Sequence, residues 1–406
     1  MTEHTNTPEL RFPEFKDEWK LQKLGNLAQF SKGKSLSKKD LNINGKPCIL
    51  YGELYTKYGA ILNKVYSKTS TQNDSLVFSK RNQILIPSSG ETDIDIATAT
   101  AIDTDVKIAI GGDLNIITPI NSDGRFISLY INGKGKYNLA KYAQGKSVVH
   151  LYNSDIKKLN FYLPTNMAEQ KKIGDFFSKL DRQIELEEEK LELLEQQKRG
   201  YMQKIFSQDL RFKDENGNEY SKWVTQKIKE LGNVYTGNTP SKKQSANWNS
   251  NNYIWVTPTD INNKKNVKNS EYMLSDEGFK KARQLPKNTL LITCIASIGK
   301  NAILREVGSC NQQINALVPN NDKNVDFLYY AFEKVSKYMK RIAGKTATQI
   351  VNKSTFENIS IEVPSLEEQL KIGRFLNSFD KLIEKQVSKI ELLKQRKQGL
   401  LQKMFI

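Results

Sequence analysis

The feature that most constrains this chain is that it contains two copies of one long polar–apolar pattern. Glu169-Gln170-Lys171-Lys172-Ile173-Gly174 returns as Glu368-Gln369-Leu370-Lys371-Ile372-Gly373. Leu193-Leu194-Glu195-Gln196-Gln197-Lys198 returns as Leu392-Leu393-Lys394-Gln395-Arg396-Lys397, and Gln203-Lys204-Ile205-Phe206 as Gln402-Lys403-Met404-Phe405. Without a gap, about half the positions from Glu169 to Phe206 are identical in the second copy. Fainter matches precede each copy: Arg11-Phe12 with Arg211-Phe212, Trp19 with Trp223, Gly33 with Gly237, Asn115 and Pro119 with Asn315 and Pro319, and Gly145-Lys146-Ser147 with Gly344-Lys345-Thr346. The plan is globular unit, long segment, globular unit, long segment. The segments are similar, whereas the globular units share a frame and differ in most residues.

The long segments read as helices that need a partner. Apolar residues fall at Ile173, Phe177, Leu180, Ile184, Leu191, Leu194, Tyr201 and Ile205, and again at Ile372, Leu376, Phe379, Ile383, Ile390, Leu393, Leu400 and Met404. Steps of three and four mark a helix–helix seam, and Glu, Lys, Gln and Leu are good helix formers. A helix of about 40 residues is about 60 Å long; its apolar stripe stays wet unless the second copy covers it. Glu187, Lys198, Gln386 and Lys397 interrupt the seam. One antiparallel register sets Glu187 against Lys397, Lys198 against Gln386, Leu191 against Leu393, Ile184 against Leu400 and Leu180 against Met404. Polar seam residues of this kind fix register.

The globular units read as mixed α and β. Short β-rich runs (Asn82 to Pro87, Tyr253 to Thr257, Thr289 to Thr293) are separated by Gly, Asn and Ser loops, and each unit closes on an apolar run and proline before its long helix. The expected fold is α+β: two mixed α/β domains and two long antiparallel coiled-coil helices in a pseudo-two-fold repeat. The segments are 1–165 (domain), 166–207 (helix), 208–365 (domain) and 366–406 (helix).

Charge narrows the partner. Lys and Arg number 62 against 45 Asp and Glu, a net charge of +17 over 406 residues. This excess favours a polyanion, nucleic acid first. Three widely spaced cysteines, Cys48, Cys294 and Cys310, fit neither a disulfide framework nor a zinc site, which points to a reducing cytoplasm. The polar stretch Met1 to Leu10 carries no signal-peptide core, and no apolar run is long enough to span a bilayer.

Loops that are basic or rich in small polar residues are the candidate nucleic-acid contacts. In the first domain they supply Lys32, Lys34, Lys38, Lys39, Ser88, Ser89, Lys134, Lys136 and Lys146. In the second they supply Ser241, Lys242, Lys243, Ser297, Lys300, Asn311, Gln312, Gln313, Lys345, Thr346 and Gln349. Lys and Ser hold phosphates and set register, while Asn and Gln read base edges. Catalytic patterns are missing from the sequence. Two histidines, His4 and His150, preclude a His-rich metal site or a His-based triad in each unit, and no metal site is expected. Ala140 to Ser147 loosely matches a phosphate-binding loop but lacks the first glycine, a leading buried strand and a following helix.

Two variable units, each ending in proline and a Glu-Gln-x-x-Ile helix (Glu169, Gln170, Ile173; Glu368, Gln369, Ile372), resemble the specificity subunit of type I restriction–modification enzymes. The runs Thr293 to Lys300, Asn311 to Gln313 and Pro87 to Glu91 resemble that family's target-recognition domains. Gly112-Asp113-Leu114-Asn115 stands where the second unit has Asn311 to Asn315, so the two domains are of different subtypes. The resemblance implies a cytoplasmic, non-catalytic subunit that reads a bipartite, asymmetric double-stranded DNA site, one half per domain. The helices then set the gap and dock two methyltransferase subunits. Two ATP-dependent restriction subunits join for cleavage. S-adenosylmethionine, ATP and Mg belong to the partners, and none is held by this chain. A stand-alone DNA-binding or anti-restriction protein of the same architecture is the alternative.

Overall fold

A computed structural model of the chain describes residues 6–72, 74–248, 250–261, 265–295, 297–344 and 350–406. The first repeat contains strands β1 (Lys20–Lys23), β2 (Ala28–Lys32), β3 (Ile84–Pro87), β4 (Thr100–Ala101) and β5 (Leu114–Pro119), helix α1 (Gly124–Asn132), strand β6 (Asn160–Leu163) and the 40-residue helix α2 (Met167–Phe206). The second contains β7 (Val224–Lys227), β8 (Gly232–Thr236), β9 (Asn266–Val267), β10 (Thr289–Thr293), β11 (Asn301–Leu304) and β12 (Ile314–Pro319). Helix α3 (Val325–Ala343), strand β13 (Ser360–Val363) and the 38-residue helix α4 (Leu366–Lys403) complete it.

Contacts divide the chain into two compact units, and the division cuts through the long helices. One unit runs to Lys190 and adds Gln386–Ile406; the other is Leu191–Lys385. Each unit therefore owns the start of one long helix and the end of the other. This partition differs from the four sequence segments because a helix stripe is buried only where a neighbour covers it.

In the first unit the main sheet has the order β2-β5-β3-β4, antiparallel throughout. Alternation along β3 sends Ile84 and Ile86 to one face, where Phe126, Ile127 and Leu129 of α1 cover them beside Trp19. Leu85 points the other way, onto Ile49 and Ile110 of a second, five-stranded sheet and onto Leu54 of the short helix Tyr51–Thr56. Both faces are buried, which is why the run reads as uninterrupted apolar residues. The second unit repeats this scheme with the order β8-β12-β10-β11-β9. Leu290, Ile292 and Leu317 meet Phe327, Leu328 and Ala331 of α3, while Leu291, Ala302 and Ala316 face Ile254 and Val256.

The repeated Glu-Gln pair is a bracket between helix and domain. Glu169 is 1% exposed; it accepts from Arg11 Nε at 2.7 Å and from Trp19 Nε1 at 3.2 Å. Gln170 accepts from the Asp123 backbone N–H at 3.0 Å and donates to Pro164 O at 2.8 Å. Glu368 takes Arg211 Nη2 at 2.6 Å and Trp223 Nε1 at 3.2 Å. Gln369 takes the Asn324 N–H at 2.8 Å and donates to Pro364 O at 2.9 Å. Three sequence matches distant along the chain (Arg-Phe, Trp, Glu-Gln) are thus one buried cluster made twice. The helix ends are matched too. Phe206 packs on Trp223 and Phe327, and Phe405 on Trp19 and Phe126. The Leu210 N–H donates to Lys204 O at 3.0 Å, and the Leu10 N–H to Lys403 O at 2.9 Å.

Within each unit the two helix portions run antiparallel, but the register differs from the one read off the heptads. Lys397 pairs with Asp181, not Glu187, and Lys198 pairs with Asp380 at 2.6 Å, not with Gln386. Glu187 instead accepts from Gln386 Nε2 at 2.7 Å, and the same nitrogen reaches Glu187 O at 2.8 Å. Lys389 and Lys394 add ion pairs to Glu187 and Glu188. All four polar seam residues face the other helix, but the partners of Lys198 and Lys397 lie six residues from the expected ones and those of Glu187 and Gln386 eleven residues away. The shift is explained by the brackets, which fix where each helix starts, and by the helix ends seated in the domain cores.

Candidate nucleic-acid interface

In each unit three loops meet at one end of the main sheet, because antiparallel neighbours bring the end of one strand beside the start of the next. In the second unit these loops follow β8, follow β10 and precede β12. Gly237 stands where the first and third touch: a Cβ there would lie 2.2 Å from Asn311 O and 2.3 Å from Cys310 O. Gly33 makes the same approach in the first unit, 2.0 Å from Gly111 O and 2.6 Å from Ile110 O. Only glycine fits so close a backbone contact. The third loop is tied by matched hydrogen bonds, Cys294 N–H to Gln313 O at 2.8 Å and Ser88 N–H to Asp113 O at 2.9 Å.

The second unit's loops enclose a cleft of 680 Å³ whose lining includes Lys242, Ser297, Lys300, Asn311, Gln312 and Gln313. Six sequence-predicted contacts converge there. Thr239 Oγ1 donates to Gln312 Oε1 at 2.6 Å, and the Asn311 N–H donates to Val256 O at 2.9 Å, so the amide-bearing loop is held from both sides. Ser241 and Lys243 are exposed next to Lys242. Lys345, Thr346 and Gln349 lie outside the described residues. Sequence reasoning missed Thr239, Trp255, Thr257, Pro258, Thr259, Glu271 and Tyr272, which complete the lining. Lys242 Nζ sits 5.0 Å from the Tyr272 ring centre and 5.9 Å from that of Trp255, an aromatic–basic wall of the kind that grips nucleic acid. Aromatic residues ending a β run beside a lysine loop were the available signal.

The first unit differs. Its cleft of 410 Å³ is lined by Leu36, Leu41, Leu50, Tyr51, Gly112 and Asp113, with Lys38, Lys57 and the buried Glu53. Glu53 is held by Lys57 Nζ at 2.8 Å and by the Leu50 N–H at 3.0 Å. Lys34 and Lys39 are exposed beside it. A second basic ledge lies next to the cleft. Lys32 Nζ is 5.7 Å from the Tyr152 ring centre, Tyr152 stacks on His150, and His150 Nδ1 is 3.2 Å from Ser89 Oγ. Ser88 is buried under it, and Lys146 is exposed in the turn that precedes His150. Lys134 and Lys136 line neither cleft. They follow Gly133, where a Cβ would come within 3.5 Å of Leu401 in α4.

Reactive groups are silenced. Burial pushes the thiols of Cys294 and Cys310 up to about 12, and burial with the nearby Glu53 charge pushes Cys48 up to about 11. Thiols held protonated are poor nucleophiles and metal ligands. Among the described residues no group of three His, Cys, Asp or Glu could hold a metal ion. The stretch after Ser147 is a strand, Val149–His150, so a phosphate-binding loop lacks its helix. No helix among the described residues is long and apolar enough to cross a membrane.

Two α+β units with variable loop clefts, carried on antiparallel helix portions, define the class of the fold. The family model for the type I restriction modification DNA specificity domain matches twice, over residues 16–196 and 220–394, and the chain belongs to that family. It is 33% identical over 190 residues to the MjaIX specificity subunit of Methanocaldococcus jannaschii, covering 45% of this chain and 44% of the relative. It is 30% identical over 150 residues to the HindI specificity subunit of Haemophilus influenzae, covering 36% and 32%. The chain thus aligns with less than half the length of these relatives. The fold is shared with the S subunit of a type I restriction–modification system from M. genitalium, with TM-score 0.64, 18% identity and coverage of 98% and 99%.

Proposed function

We propose that this chain is the DNA-reading subunit of a type I restriction–modification complex, each unit reading one half of a bipartite, asymmetric site. The observation that carries this is the pair of loop clefts. They occupy the same end of the same sheet in both units and differ in nearly every lining residue. A shared frame with unlike linings suits two readers of unlike sequences. The antiparallel helices then act as the spacer between half-sites and the dock for two methyltransferase subunits. Dimeric DNA readers set half-site spacing by geometry in the same way. Methyl transfer, with S-adenosylmethionine, and ATP- and Mg-dependent cleavage belong to the partner subunits, two methyltransferase and two restriction, while this chain selects the site without chemistry of its own. It works in the cytoplasm.

The test is to co-express the chain with its methyltransferase partner and map methylated adenines. One bipartite motif with a fixed gap is expected. Exchanging Gln312-Gln313 for Gly-Asp, the residues at the matching place in the first unit, should change one half of that motif and leave the other. Change in both halves, or in neither, would overturn the assignment of one half-site to each unit.

A further inference from the structure

Lys265 is a buried lysine with an unusual set of partners. It is 6% exposed and immediately precedes the edge strand β9; its carbonyl accepts from the Ile303 N–H at 2.7 Å. Its ammonium uses all three donors inside the unit: Tyr330 Oη at 2.9 Å, Asn377 Oδ1 at 3.0 Å and Asp326 Oδ1 at 2.8 Å. Tyr330 in turn donates to Asp380, and Asp380 holds Lys198 at 2.6 Å. Arg305 adds a second cation to Asp326 at 2.6 Å. One residue on the reading sheet is therefore bonded to α3 and α4 directly and to α2 through Asp380.

The first unit is tied differently and nearer the surface: Arg125 of α1 reaches Asp103, just past β4, at 3.3 Å and the exposed Asp175 of α2 at 2.6 Å. There the Ala101 N–H donates to Ala60 O at 2.8 Å, the same bond that Ile303 makes to Lys265, so Ala60 occupies the place of Lys265. Phe126 and Phe327 both pack on the repeated tryptophan, which aligns Leu129 with Tyr330 and Arg125 with Asp326. The Asn377 position is Ser178, whose buried hydroxyl has no hydrogen-bond partner. Of the Lys265 network itself, among the described residues only the helix–helix pair is kept, Lys397 with Asp181 for Lys198 with Asp380. Apolar packing tolerates small sliding, whereas a satisfied buried polar network permits one geometry.

We propose that Lys265 is a positioning residue that locks the second reader onto the spacer helices and so keeps the gap between half-sites to a single length. This rests on the DNA-reading function proposed above. The experiment maps methylated adenines for the chain with its methyltransferase partner, wild type against Lys265→Met and Tyr330→Phe. Both variants leave each carboxylate a cation, since Asp326 keeps Arg305 and Asp380 keeps Lys198. Methylation at sites whose gap is one base pair off should rise about 10-fold in Lys265→Met, a loss of about 1.4 kcal/mol of discrimination. Tyr330→Phe should move the same way by less, with both half-site sequences unchanged. A single gap retained by folded variants overturns the inference, and so does a change in the second half-site itself. Should Lys265→Met not fold, Tyr330→Phe decides alone. Wild type lacking any bipartite pattern overturns the DNA-reading function, and the inference with it.

Discussion

The two clefts stand at corresponding places and are lined by different side chains. The second is walled by Asn311, Gln312, Gln313, two hydroxyl loops and an aromatic pair under Lys242. The first is walled by Leu36, Leu41 and Leu50, Tyr51, the Gly111-Gly112 turn, the buried Glu53 and the lysines Lys38 and Lys57, with a further basic–aromatic ledge at Lys32, Tyr152 and His150. What lies behind the clefts is held constant: the glycine contact, the sheet order and the Arg–Trp–Glu bracket. The difference teaches that this fold separates the scaffold, where a change costs stability, from the lining, where a change alters only what is bound.

The largest effect is expected from attacking what the units share. Glu368→Ala leaves the Arg211 guanidinium and the Trp223 N–H facing an emptied site and should lose about 3 kcal/mol. Glu169→Ala should lose a similar amount through Arg11 and Trp19. Denaturant unfolding checks both, and a loss confined to one unit would break the equivalence of the brackets.

The lining should show the reverse: little stability change and a large change in recognition. Gln313→Ala should cost about 1–3 kcal/mol of discrimination at one base pair of one half-site, with the melting temperature near wild type. Methylation-motif mapping beside a thermal melt reads both. Lower on the scale are the cations. Lys242→Ala and Lys300→Ala should weaken DNA binding at every sequence and each reduce the salt slope by about 1. Lys134→Ala, outside both clefts, should leave the slope unaltered in the same titration.

The smallest effect sharpens the contrast through pH. Burial pushes the Asp181 carboxyl up despite Lys397. Its ionised form is disfavoured in the fold, so stability falls as pH rises from the ordinary aspartate value through the raised one. For Asp326, burial pushes up, but the Lys265 hydrogen bond with the Lys265 and Arg305 charges outweighs it and the carboxyl is held low. Its contribution is present above the ordinary value and lost as pH falls through the depressed one. Relative to wild type, Asp181→Asn should therefore gain in melting temperature as pH rises above the ordinary aspartate value, while Asp326→Asn should lose as pH rises toward that value from below. Slopes of the same sign would show that the two carboxylates share one environment.

Much of this was written locally. The repeat fixed two like scaffolds, the three–four spacing fixed two long helices with Ile184 and Leu393 inward, and the amide and lysine loops marked most of the second cleft. The Trp255–Tyr272 wall escaped because it forms from strand residues distant along the chain, and the Lys265 network because a lysine in the basic run Asn262 to Lys268 carries no local sign of burial. The register is the clearest division. A seam of threes and fours looks much the same after a slide of about two turns, so nothing local separates Lys198 opposite Gln386 from Lys198 opposite Asp380, six residues away. Sequence alone determined that each long helix carries an apolar stripe in need of a partner; the Lys198–Asp380 and Lys397–Asp181 pairs set the antiparallel direction. Tertiary structure chose which turn meets which, because the buried Glu-Gln brackets and the phenylalanines at the helix ends anchor each helix to a domain before the seam can slide.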